Sequence, residues 1–135
     1  MAFALVEVKG LIQQLFSENG YMGIMIDLSD EIEKSISAFD ALIDNKIKSI
    51  TFLDLCTGQQ LIIAIGEKGY RVCQNKTELA LPVNELEIIR GLMLDVFVHN
   101  AFDGYHYDFD IVSKEIVVDI CILLQKNTMR EEKRC

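Results

Sequence analysis

Apolar positions recur along the chain with two different periods. In residues 30–44, Ile32, Ile36, Phe39 and Ile43 step by four, three and four, with Ala38 and Leu42 beside them; Glu31, Glu33, Lys34, Ser37 and Asp40 fall largely on the other face. Side chains on an α-helix repeat every 3.6 residues, so this spacing predicts an amphipathic helix. Asp30 followed by Glu33 predicts an acidic capping box at its start. Residues 4–17 carry Leu5, Val8, Leu11, Ile12, Leu15 and Phe16 in similar steps, which predicts a first helix ended by Asn19-Gly20. A further helix is predicted from Pro82 to about residue 99, with Leu86, Ile89, Met93 and Phe97 on one face and Asn84 and Glu87 as its cap. Gly91 interrupts it, and Leu94 to His99 fits a strand as well.

The remaining apolar runs are short and rich in β-formers. Tyr21 to Leu28 reads as one strand. Residues 49–56, 61–65 and 70–74 read as three more, separated by Thr57-Gly58 and Gly66-Glu67-Lys68-Gly69 and followed by a turn at Asn75-Lys76. Short turns between successive strands predict an antiparallel meander. Tyr105 to Val112 and Glu115 to Leu124 form a final hairpin about Ser113-Lys114. The expected class is α+β: an antiparallel sheet of five or six strands packed against two or three helices. No internal repeat is visible. One domain is expected over residues 1–126, with a charged, disordered tail over 127–135.

Composition narrows the function classes. A chain of 135 residues, 50% hydrophobic and 25% charged, suits one folded domain. The formal net charge of −8 repels nucleic-acid phosphates and anionic membrane surfaces. It favours a basic protein partner or a metal ion, or it serves solubility alone. No basic start precedes a long apolar core, and no apolar run approaches the roughly 20 residues of a spanning helix, so a cytoplasmic protein is expected. Cys56, Cys73 and Cys121 sit in apolar runs, as small core residues do, and Cys135 ends the chain. Two histidines and no Cys-x-x-Cys leave no zinc-finger pattern. Met22, Met25 and Met93 read as core filler, and Gly66 to Gly69 lacks the spacing of a phosphate loop.

The candidate chemistry lies between His99 and Asp110. Strand alternation puts Tyr105, Tyr107, Phe109 and Ile111 on one side and His106, Asp108 and Asp110 on the other. Three readings stay open. The polar stripe is the solvated face of an amphipathic strand; or it is a partner-binding surface of His106, Asp108, Asp110 and Asp103; or it is a metal or acid/base site using His99, His106 and Asp108, with Asp103 and Asp110 nearby. The last makes the chain a small metal-binding protein or hydrolase, although no nucleophile has a defined relation to these residues. Asp119 interrupts the run Ile116 to Leu124 and is expected to point away from Val118 and Ile120. No cofactor is expected, and self-association through an exposed sheet edge is left open.

Residues 50–74, from Ile50-Thr51-Phe52-Leu53-Asp54 through Thr57-Gly58 and Leu61-Ile62-Ile63-Ala64-Ile65 to Gly66-Glu67-Lys68-Gly69-Tyr70, resemble the central meander of small immunity proteins of bacterial toxin systems. The resemblance covers under a quarter of the chain and carries no catalytic motif. It implies a non-enzymatic protein that neutralises one toxin by binding it. An acidic surface suits rapid capture of a basic nuclease.

Overall fold

The structure, a computed structural model, describes residues 3–99, 104–113 and 116–125; Asp103, Cys135 and the predicted tail lie outside these. The described residues form nine strands and two α-helices: β1 Ala4–Val8, β2 Ile12–Glu18, β3 Tyr21–Asp27, α1 Ile32–Ile43, β4 Ile50–Asp54, β5 Gln60–Ile65, β6 Gly69–Cys73, β7 Lys76–Leu81, α2 Val83–Leu94, β8 Gly104–Ser113 and β9 Ile116–Gln125. A single π turn, Asp95–His99, extends α2. The class is α+β as expected, but the strands divide between two mixed sheets, ordered β1-β4-β5-β7-β6 and β2-β3-β9-β8. Three pairings are parallel, β1 with β4, β3 with β9 and β5 with β7, so the expectation of one antiparallel sheet is corrected.

The predicted first helix is two strands. β1 buries Val6 and Val8 and leaves Leu5 exposed, which is strand alternation. Gly10, at a φ of 64°, turns the chain into β2, where Leu15 and Phe16 stay exposed. Apolar residues three and four apart therefore fell on two strands joined by a turn, and β-branched Val6, Val8 and Ile12 suit that arrangement better than a helix.

The predicted meander is also revised. β4 and β5 pair antiparallel, but β7 inserts between β5 and β6. Lys76–Leu81 buries Thr77, Leu79 and Leu81 on alternate positions, so it takes the central place, while β6, with Arg71, Val72 and Cys73 exposed, takes the edge. The two helices match their predicted spans closely, yet neither uses the predicted cap. α1 begins after Glu31 with no side-chain cap, and Asp30 accepts a hydrogen bond from the Lys9 amide instead, at 3.1 Å. α2 begins directly after Pro82, which puts Asn84 inside the first turn.

The connectivity contains a repeat that the sequence did not reveal. β2-β3-α1-β4-β5 and β6-β7-α2-β8-β9 each run hairpin, helix, hairpin. Each four-strand set joins the first hairpin of one unit to the second hairpin of the other through a parallel pair, β3 with β9 and β7 with β5. β1 adds an outer strand beside β4. The helices pack together, and Arg90 of α2 reaches Asp40 of α1 at 3.0 Å. The inward sheet faces and the buried helix faces form one core that includes Phe39, Phe52, Leu61, Leu86, Met93, Ile120 and Ile122. No helix among the described residues is long and apolar enough to cross a membrane.

Candidate functional site

β8 and β9 present the polar stripe. Alternation along β8 buries Phe109 and Ile111, half-buries Tyr105 and Tyr107, and leaves His106, Asp108 and Asp110 exposed, as the sequence predicted. The hairpin register adds two residues that the sequence reading did not join to the cluster: Cys121 faces Asp108 and Asp119 faces Asp110. On the other side of β9, β3 sets Met25 beside Cys121 and Gly23 beside Asp119. A side chain on Gly23 would collide with the Phe16 ring, which lies across it and stacks on Tyr21 with 5.3 Å between centroids. The outward face is thus an acidic patch with an aromatic flank.

Its charges repel one another. Burial, then the charges of Asp110 and Asp108, then a shared hydrogen bond with Asp110 raise the Asp119 carboxyl above its ordinary range. Among the described residues no lysine or arginine pairs with Asp108, Asp110 or Asp119; the neighbour is His106, whose Nδ1 lies at hydrogen-bond distance, 3.1 Å, from Asp108 Oδ2. Cys121 is a half-buried free thiol. Burial, its hydrogen bond to Asp108 and the charges of Asp108 and Asp119 push it up to about 11. A nucleophilic thiol needs the opposite environment, one that favours the thiolate. The chain by itself therefore holds Cys121 as the thiol, a preference that a cation bound beside it would reverse.

The inward side of the hairpin is tied to α2. The Tyr107 hydroxyl donates to Glu85, and Lys68 pairs with the same carboxylate at 3.1 Å while lying over the Phe109 ring. Burial alone would raise Glu85, but Tyr107 and Lys68 overcome it and hold the carboxyl below its usual value. Burial and Glu85 push Tyr107 up to about 12. These contacts fix the strand whose opposite face carries the aspartates. Val112, on that outward face, also lines a cleft of about 570 Å³ with Ile62, Ala64, Lys68, Tyr70, Arg71 and Glu78.

The repeat supplies an internal comparison. In the other unit β4–β5 occupies the place of β8–β9, and its outward positions hold Thr51, Leu53, Gln60 and Ile62. The fold therefore does not require carboxylates there. Of the other predicted candidates, the His99 side chain and all of Asp103 lie outside the described residues. Cys73 is exposed on edge strand β6 rather than buried. Cys56, half-buried in the turn after β4, is disulfide-bonded and not the free core thiol expected. No protein-family model and no curated protein matches the chain.

Proposed function

We propose that the chain is a non-enzymatic binding domain whose acidic face on β8 and β9 captures a basic protein. The observation that carries this reading is the grouping of Asp108, Asp110 and Asp119 on an open sheet face without a lysine or arginine counter-ion among the described residues. Such an arrangement costs the free protein stability, as the raised Asp119 carboxyl indicates, and a cationic partner removes that cost. The net charge of −8 steers the same partner toward the face. The Phe16–Tyr21 stack offers apolar surface beside the charges, the combination of anchor and rim that protein interfaces use. The partner class is a cationic protein toxin, which is what the resemblance of residues 50–74 implies.

The test is affinity capture from extracts of the native host, with the wild-type domain and the triple variant Asp108→Asn, Asp110→Asn, Asp119→Asn immobilised in parallel. The wild type retains one basic protein at micromolar concentration, and the variant loses it. Absence of any cationic partner, or equal retention by the variant, contradicts the reading.

A further inference from the structure

The outward face also brings together three different metal-ligand types. His106, Asp108 and Cys121 each offer one donor atom, and these atoms all lie within 4.8 Å of one another. The fold explains the convergence. Asp108 and Cys121 are direct partners across the hairpin, and His106 is two residues along the same face of β8. His106 Nδ1 is already 3.1 Å from Asp108 Oδ2. We propose that His106, Asp108 and Cys121 form a binding site for a borderline divalent transition metal of the zinc or cobalt class.

The donor set decides the class. Calcium and magnesium take oxygen ligands, whereas one thiolate, one imidazole and one carboxylate suit zinc-class ions. Three protein ligands on an open face leave the remaining position to water. Asp110 and Asp119, one cross-strand pair further along, add negative field without entering the donor set. Binding converts the Cys121 thiol to a metal-bound thiolate, and the proton leaves to solvent. The site adds Cys121 to the His106 and Asp108 read from sequence. It does not rest on the partner reading, since it concerns the purified chain alone.

The experiment is titration of Co²⁺ into tag-free, full-length protein without added thiol. The expected result is a saturable thiolate-to-cobalt charge-transfer band in the near ultraviolet at one ion per chain, abolished by Zn²⁺ and unaffected by Mg²⁺ in excess. Cys121→Ser removes the band and Cys73→Ser keeps it. His106→Ala weakens binding on the order of tenfold or more. A second readout guards against misfolded variants: saturating Zn²⁺ slows alkylation of Cys121 in the wild type and leaves Cys73 reactive. A wild type with no charge-transfer band, a band that survives Cys121→Ser, or alkylation of Cys121 unchanged by Zn²⁺ overturns the proposal.

Discussion

Single side chains hold the joints between elements and set the chemistry of the face. Asp54, 1% exposed at the end of β4, accepts the Leu11 amide at 3.0 Å on Oδ2 and the Cys56 amide at 2.9 Å on Oδ1. It thereby ties the β1–β2 turn to the β4–β5 turn. Burial by itself would raise its carboxyl, but backbone donors from Leu11, Cys56, Gly10 and Thr57 outweigh that and lower it. Asp54→Ala strands one buried and one part-buried amide and is expected to cost on the order of 2–3 kcal/mol in denaturant unfolding. Because the folded carboxyl is depressed, this contribution is complete above about pH 5, where both states are ionised, and is lost as pH falls through the folded value. The gap between wild type and Asp54→Asn therefore narrows in acid, and a gap that widens refutes the assignment. Cys121 gives a second residue-scale expectation. A thiol pushed up to about 11 carries about a hundredfold less thiolate at neutral pH than an ordinary one, so exposed Cys73 alkylates well before Cys121, as peptide mapping of partial reactions will show.

Elements were legible where one period ruled unopposed. α1 shows the helical period over its whole length, and the β8–β9 hairpin shows alternation, so both were read within a few residues. The segment at residues 4–17 misled because Leu5, Val8, Leu11 and Ile12 satisfy a helical step while Gly10 splits them between two strands. Strand order was not legible. No local signal says that β7 enters between β5 and β6; that follows from Thr77, Leu79 and Leu81 needing burial on a central strand. Three of the five residues of the site were visible, His106, Asp108 and Asp110. Register supplies the rest: a turn at residues 113–114 would set Asp108 opposite Asp119, and the observed pairing sets it opposite Cys121. Both registers keep Asp119 and Cys121 on the outward face, so the five-residue cluster was within reach of the hairpin prediction. Gly91 offers an element-scale test. It lies inside α2, and a Cβ there would meet nothing within 4 Å. Gly91→Ala is expected to stabilise the protein by about 0.5–1 kcal/mol, read as a raised denaturation midpoint; a lowered midpoint would mean that α2 is not the continuous helix described.

The whole molecule sets two units of the same element order against each other, and of their matching hairpins β8–β9 carries the charged outward face while β4–β5 does not. If that charge serves binding, it should trade against stability. Asp119 carries a raised carboxyl, so its ionised form is disfavoured in the fold, and stability falls as pH rises through its folded value. Asp119→Asn is accordingly expected to raise the melting temperature at pH 7 while weakening capture of a cationic protein; lower stability would assign the residue a packing role. Partner capture should also weaken steeply as salt approaches molar concentration, where screening acts over about 3 Å. The most direct measurement is hydrogen–deuterium exchange of the domain with and without its captured partner. Protection concentrated in residues 104–112 and 117–124, extending to the cleft at Tyr70 and Arg71, is the predicted footprint. Protection confined to the β1 and β2 edges or to the helices, with β8 and β9 exchanging as in the free protein, would contradict it.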